Sequence, residues 1–140
     1  MISDLSNKSI EELENEYWGE APKDSSSLVK NCHTLRKKKL VDFEPSDLRI
    51  LINQDIALKY LIPLALNILK QKPFIETDYF EGDLLKSVIS SDVTFWKNEN
   101  GLKNIVKDII EKNRKEFDDL DTTEEIKTEL LDLFNAFLKY

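Results

Sequence analysis

The only cysteine of the chain, Cys32, stands next to its only histidine, His33, and four consecutive cations follow at 36–39. These residue types can form a nucleophile with its general base, half of a metal site, or a basic strip that grips nucleic acid. Each use requires a particular arrangement in space. The secondary structure around the two residues therefore decides between them.

The cysteine and the histidine fall on a predicted helix that starts at the serines of positions 25–27 and runs to about Lys38. Neighbours on a helix point about 100° apart, so the side chains of Cys32 and His33 do not meet. Cys32 lies in an apolar stripe, where a thiol behaves as a small hydrophobe. The other members of that stripe are Leu28, Val29 and Leu35. We expect neither catalysis nor zinc here, and predict that the His33 ring bonds a neighbour at the edge of the core.

The four cations stand at the C-terminal end of that helix, where the dipole and the unpaired carbonyls favour positive charge by about 0.3–1 kcal/mol each. Arg36 points closer to the apolar stripe than its neighbours, so we expect its guanidinium to pair with a carboxylate or carbonyl beneath the surface. The alternative is a helical adaptor or antitoxin-like regulator that recognises nucleic acid through Arg36 to Lys39. The net charge of −7 disfavours this alternative, because phosphate contacts require surplus lysine and arginine.

The composition predicts a helical protein of one domain. The chain has 140 residues, of which 41% are hydrophobic and 34% charged, with three glycines and four prolines. One cysteine forms no internal disulfide and no signal-peptide pattern opens the chain, so we expect a cytoplasmic protein. The longest apolar stretch is interrupted by Lys59, Pro63 and Asn67 and falls short of the roughly 20 residues of a membrane span. We expect it to form a core helix.

We predict an all-α fold, a compact bundle of about six to seven helices that spans 1–140 around a buried central helix at 55–70. A capping box at Ser9 and Glu12 starts the first helix, which we expect to end near Trp18-Gly19. The central helix is apolar on nearly every face, which predicts neighbours all around it.

Local signals place further helices on both sides of the central one. Glu44-Pro45 begins one before it, and a short apolar helix follows Gly82-Asp83. Asp92 caps a helix that Gly101 is expected to break or bend. A second capping box, Thr122 to Glu125, precedes the last predicted helix.

Catalytic signatures are missing from the sequence. It has no glycine-rich phosphate loop, no nucleophile elbow and no His-Glu-x-x-His motif. Paired carboxylates such as Asp118-Asp119 are typical of a solvated helix end. A hydrolase that used dispersed carboxylates would need a cluster of metal ligands, which the sequence does not show. We therefore expect that the protein is not an enzyme and that it binds no cofactor and no metal.

Two segments, 11–20 and 76–83, mix carboxylates with aromatic rings. Proteins use this combination to anchor a partner and to complement a basic surface. The candidate contact residues are Glu11, Glu14, Glu16, Asp78, Tyr79, Glu81 and Asp83. For the aromatic side chains we favour the alternative that they fill the core. They are Tyr17, Trp18, Tyr79 and Phe80.

These segments belong to a series of motifs that stand in order over residues 9–97. The series is Ser9-Ile10-Glu11-Glu12-Leu13-Glu14, Tyr17-Trp18-Gly19-Glu20, Leu28-Val29, Cys32-His33-Thr34-Leu35-Arg36-Lys37-Lys38, Asp47-Leu48-Arg49-Ile50-Leu51-Ile52 with Gln54, Tyr60-Leu61-Ile62-Pro63-Leu64-Ala65-Leu66, Asp78-Tyr79-Phe80-Glu81-Gly82-Asp83-Leu84-Leu85 and Phe95-Trp96. Together they resemble the immunity proteins of bacterial contact-dependent growth inhibition (CDI). The chain departs from the pattern at Lys39, where proline is common, and at Asn53 and Ala57, where glycine is common. Residues 98–140 lack the motifs and are predicted to be a helical C-terminal extension.

The resemblance implies a small, non-enzymatic helical protein of the cytoplasm. Such a protein binds and neutralises the C-terminal toxin domain of a cognate CDI effector, and we expect that toxin to be a nuclease, possible targets including tRNA. An acidic inhibitor would be steered towards the cations that a nuclease presents to phosphates. We expect the toxin domain to be the partner, with no direct binding of nucleic acid or membrane.

Overall fold

The computed structural model describes residues 5–140, and this part of the chain forms nine complete α-helices, one short 3-10 helix and no β-strand. The helices are α1 Ile10–Glu14, α2 Ser27–Lys37, α3 Pro45–Asn53, α4 Leu58–Gln71, α5 Asp83–Ile89, α6 Val93–Lys97, α7 Asn100–Lys112, α8 Arg114–Asp118 and α9 Glu124–Leu138, and the 3-10 helix is Leu40–Asp42. The predicted all-α class is confirmed. The structure has more helices than the six to seven expected, because short helices such as α8 leave little periodic pattern in a sequence.

The predicted capping box starts α1. Ser9 Oγ accepts a hydrogen bond from the backbone of Glu12, and the Glu12 carboxylate accepts one from the backbone of Ser9. The helix ends at Glu14 rather than near Trp18-Gly19, because Asn15 adopts the left-handed conformation with φ of 52°. An asparagine tolerates this conformation better than most residues and closes the helix early. The acidic and aromatic segment that follows is therefore largely a loop.

Most of the other predicted helix starts are found. Ser26 caps α2 by accepting a hydrogen bond from the backbone of Val29, and Pro45 is the first residue of α3. Thr123 caps α9 by accepting a hydrogen bond from the Ile126 backbone. The second capping box is wrong, because the third residue after this cap is an isoleucine, which has no carboxylate to return the bond. Gly101 lies in the first turn of α7, and the break falls before it at 98–99.

The central helix α4 begins at Leu58, three residues later than predicted. Asp55 and Ala57 precede it with φ of 56° and 53°, a conformation that helix interiors exclude. It packs against α3, α5 and α7 but exposes Lys59, so the prediction of neighbours on every side is wrong. Its buried side chains recur at helical spacing and form one face: Leu58, Leu61, Ile62, Ala65, Leu66 and Leu69.

One hydrophobic core joins the N-terminal and C-terminal helices. It extends from Ile10 in α1 to Phe137 in α9. The Trp96 and Phe137 rings meet edge to face with centroids 5.0 Å apart, and the Trp96 indole donates a hydrogen bond of 2.9 Å to Ser91 Oγ. The helices after residue 97 thus bury side chains in the same core as the motif-bearing part. No helix of residues 5–140 is both long and apolar enough to cross a membrane.

Candidate functional site

The cysteine and the histidine of α2 have structural partners. Cys32 is buried, and burial raises the pKa of its thiol. His33 Nδ1 lies 3.0 Å from the Gly19 carbonyl, which accepts its hydrogen bond, and the His33 ring meets the Trp18 ring edge to face at 5.2 Å. The predicted role of His33 is confirmed. Residues 5–140 contain no group of three or more histidine, cysteine, aspartate or glutamate side chains placed to hold a metal ion.

Arg36 fixes the loop after α1 against α2. Its side chain is 1% exposed. Nη1 donates a hydrogen bond to Glu14 Oε1 at 2.5 Å, and Nη2 donates one to the Glu16 carbonyl at 2.6 Å. The guanidinium also lies 4.2 Å from the centre of the Trp18 ring, within the range of a cation–π contact. The predicted buried pairing of Arg36 is confirmed. We call Glu14, Glu16, Trp18, His33 and Arg36 the Arg36 cluster.

Arg49 of α3 plays a related part for the loop before α5. It is 7% exposed, donates from Nη2 to Asp78 at 2.7 Å and donates from Nε to Thr77 Oγ1 at 2.8 Å. Its guanidinium lies 4.6 Å from the centre of the Tyr79 ring. A buried arginine thus binds an acidic and aromatic loop here too.

The Asp83 carboxylate organises the same loop. It is 3% exposed and accepts hydrogen bonds from the backbone amides of Thr77, Asp78 and Tyr79 and from the Thr77 hydroxyl, over distances of 2.7–3.1 Å. Burial alone would raise the pKa of Asp83, but the bonds from Thr77, Tyr79 and Asp78 together outweigh it and lower this pKa below its ordinary value. We call Arg49, Thr77, Asp78, Tyr79 and Asp83 the Arg49 cluster.

The seven predicted contact residues divide by burial. Glu11 and Asp83 are buried, which contradicts their expected place on the surface. Glu11 lies beside Ile10 in the first turn of α1. Asp83 is directed into its own loop, where it accepts a hydrogen bond from the Thr77 amide. Glu81 is half-buried. The remaining four keep an exposed surface: Glu14, Glu16, Asp78 and Tyr79.

Three of the four aromatic side chains that we expected in the core are exposed. Tyr79 is 72% exposed, Tyr17 and Trp18 are exposed too, and Phe80 alone is half-buried against the core. Tyr79 and Trp18 rest on buried guanidinium groups instead of on the aliphatic interior. Sequence reasoning missed Arg49. Its position between Leu48 and Ile50 in an apolar helix was the available signal.

The N-terminal half of α2 also faces outwards. Cys32 and Leu35 are buried as predicted, but Leu28 and Val29 are exposed, so the predicted stripe is wrong over the first turn. Val29 lies one turn before His33, whose ring contacts Trp18, and Leu28 lines a cavity together with Tyr79. These side chains lie on α2 between the Arg36 cluster, which they reach through the His33–Trp18 contact, and the Arg49 cluster, which they reach through the cavity that Leu28 and Tyr79 line. We call Trp18, His33, Val29, Leu28 and Tyr79 the α2 surface.

The basic strip makes ion pairs within the chain. Lys37 Nζ lies 3.3 Å from Glu20 Oε1, and Lys38 Nζ lies 2.8 Å from Asp47 Oδ2. The hydrogen bond to Asp47 raises the pKa of Lys38. With Arg36 turned inwards, three of the four cations have carboxylate partners in the fold. This arrangement reduces the charge that the strip offers to phosphates.

A helical scaffold whose exposed features are acidic and aromatic is typical of a protein that acts by binding another macromolecule. A family model of CDI immunity proteins matches residues 12–106, more than half of the chain. The chain therefore belongs to the CDI immunity proteins, the family that its motifs resemble. Comparisons with curated proteins and with solved structures found no match. Both clusters lie within the matched residues.

Proposed function

We propose that this immunity protein neutralises the C-terminal toxin domain of one cognate CDI effector by binding it through the α2 surface and the adjacent acids. The observation that carries the proposal is the pair of clusters, which present exposed rings and carboxylates on buried arginines. We propose further that the chain is a single domain that acts in the cytoplasm, with no catalysis and no cofactor.

The clusters support tight binding because they hold exposed groups in place before a partner arrives. A flexible aromatic side chain loses conformational freedom on binding, which costs about 0.5–1.5 kcal/mol for each immobilised chain. Trp18 and Tyr79 are already stacked on guanidinium groups. Tyrosine and tryptophan are also the residue types that most often dominate an interface. Their rigid exposure favours slow dissociation.

Charge supports a nuclease, a tRNA-cleaving enzyme included, as the toxin. A nuclease concentrates cations at the surface that meets phosphates, and this chain has a net charge of −7. The opposite charges would steer the two proteins together and raise the association rate. Neutralisation then follows from covering the substrate surface or a region beside it.

The test uses the C-terminal toxin domain of the cognate CDI effector, sought in the gene immediately upstream of this chain. Co-expression of the two should give a complex that co-purifies and a surviving cell. In a binding titration, Asp78→Lys with Glu81→Lys should weaken affinity by about tenfold or more and reduce its dependence on salt. Glu124→Lys with Glu125→Lys on α9 changes the net charge equally and should have a much smaller effect. Unchanged affinity and salt dependence in the first variant would remove this loop from the interface.

A further inference from the structure

We infer that the cavity between α2, α3 and the loop 76–83 receives an uncharged loop of the toxin domain, with one aromatic or aliphatic side chain inserted. The inference rests on the proposed function and names the chemistry of the partner segment. The cavity measures about 580 Å³ and opens beside Leu28 and Tyr79. Cavities that bind ligands measure about 300–1,000 Å³, so there is room for a side chain with its backbone.

The charged groups of the cavity neutralise each other. Arg49 and Asp78 are its charged lining residues, and they are paired at 2.7 Å. A cationic side chain entering the cavity would approach Arg49, and an anionic one would approach Asp78. In both cases the counter-charge that the incoming group meets is already paired, so the gain from a new ion pair is small. A neutral segment does not depend on a free counter-charge.

Three carboxamide side chains give the cavity the hydrogen-bonding character of a peptide. Asn31 projects from α2, and Asn53 and Gln54 stand at the end of α3. All three residues are exposed, and their side chains have no hydrogen-bond partner among residues 5–140. A carboxamide donates and accepts at once, as a peptide group does, so it can bind the main chain of a loop in both directions.

The walls of the cavity suit an apolar side chain. Leu28 is exposed on the α2 side, and the Tyr79 ring is held on the opposite side by the guanidinium of Arg49. An aromatic or aliphatic group between them would cover apolar surface that water now contacts. The net negative charge of the chain would then govern the approach of the toxin, and this cavity, where the charges of Arg49 and Asp78 cancel, would govern how long it stays.

An isosteric charge change tests the inference. Asn31→Asp adds one negative charge to the cavity, and Asn135→Asp adds the same charge to the exposed face of α9 as a matched control. Binding of the cognate toxin domain is measured by surface plasmon resonance at two salt concentrations, and circular dichroism confirms that each variant is folded. We expect Asn31→Asp to weaken binding by about tenfold or more, mostly through faster dissociation, and Asn135→Asp to match the unaltered chain.

A second pair of variants tests the apolar wall. Leu28→Ser should speed dissociation by about tenfold, whereas Val41→Ser, which changes an exposed valine of the 3-10 helix, should not. Tighter binding by Asn31→Asp would show a cationic occupant and overturn the inference, and so would unaltered binding by both cavity variants. Sedimentation tests whether a second copy of the chain occupies the cavity instead of the toxin. Loss of self-association in Leu28→Ser with toxin binding intact would show this and would also overturn the inference. Failure of the unaltered chain to bind the toxin would instead refute the proposed function.

Discussion

The Arg36 cluster and the Arg49 cluster each bind an acidic and aromatic loop to a helix, but the charge at the centre is positive in the first and negative in the second. In the Arg36 cluster a buried cation donates to a carboxylate and to a backbone carbonyl of the loop. In the Arg49 cluster a buried anion, Asp83, accepts from three backbone amides, and the arginine lies beside it. Both arrangements leave a ring exposed above a guanidinium. The Arg49 cluster depends on the ionised form of Asp83, whose pKa is lowered by the hydrogen bonds it accepts.

The comparison shows that a buried charge can bind an exposed acidic loop to a helix without burying the aromatic residue of the loop. Loops with exposed backbone are usually mobile, because water competes for their hydrogen bonds. Here Asp83 satisfies three backbone amides and Arg36 satisfies one backbone carbonyl, and these bonds to charged groups are stronger than neutral ones. The rings of Trp18 and Tyr79 remain at the surface, where a partner can reach them.

The largest effect is expected from removing the central anion of the Arg49 cluster. Asp83→Asn replaces an acceptor-only group with one that has a single acceptor oxygen and a donor facing backbone amides. We expect the free energy of unfolding to fall by about 3 kcal/mol, measured by urea denaturation. Asp118→Asn, at an exposed aspartate, is the matched control and should change stability little. Equal losses in the two variants would contradict the central role of Asp83.

The two arginines should differ in how well lysine replaces them. Lysine lacks the planar fork, so Arg36→Lys loses either the Glu14 or the Glu16 bond and the stacking on Trp18. We expect a loss of about 2 kcal/mol for Arg36→Lys and about 1 kcal/mol for Arg49→Lys, since Asp83 keeps its backbone donors in the second variant. Thermal and urea unfolding measure both. A larger loss of stability in Arg49→Lys than in Arg36→Lys would contradict the assignment of Arg36 and Asp83 as the central groups of their clusters.

Acid should weaken the Arg49 cluster through Asp83. The pKa of this carboxyl is lower in the folded state than in the unfolded chain, so its ionised form stabilises the fold. That contribution is fully present above the unfolded-state value of about 4 and is lost as the pH falls through the lower folded-state value. Unfolding free energies between pH 7 and pH 3 should decline less steeply for Asp83→Asn than for the unaltered chain. Parallel curves would show that Asp83 does not carry this dependence.

Effects of about 2 kcal/mol or less are expected at the residues with positive φ that join each loop to its helix. Gly82 has φ of 94° at the start of α5, so Gly82→Ala should cost about 1–2 kcal/mol through backbone strain. The added Cβ would meet Leu130 Cδ1 at 3.4 Å, an ordinary contact, so overlap adds little. Asn15 already occupies the left-handed region, and Asn15→Gly should stabilise the chain by less than about 1 kcal/mol. Differential scanning calorimetry resolves both. Unchanged stability in Gly82→Ala would mean that the backbone of the loop adjusts to the alanine without strain.

Part of the fold could be predicted because its signals are local. The caps at Ser9, Ser26 and Thr123 satisfy backbone donors within three residues, so the sequence placed these helix starts correctly. Helix ends were less certain. The left-handed turn at Asn15 ended α1 early, and the similar turn at Ala57 delayed α4.

The candidate site was predicted only in outline. Composition located the two acidic and aromatic segments, yet Glu11 and Asp83 are buried and Tyr79 is exposed. Leu28 and Cys32 lie on one helical stripe in sequence, but only Cys32 is buried. Periodicity gives the direction of a side chain, and it does not tell what covers that side chain.

The amino-acid sequence by itself determined the all-α class, most helix starts, the inert thiol of Cys32 and the family, because each depends on neighbouring residues or on ordered motifs. Only the tertiary structure decided which charges became the buried centres of the two clusters and which rings stayed at the surface. Arg36 meets Glu14, and Arg49 meets Asp78, across more than 20 residues of chain. Contacts of that separation arise from the packing of whole helices, which no local pattern records.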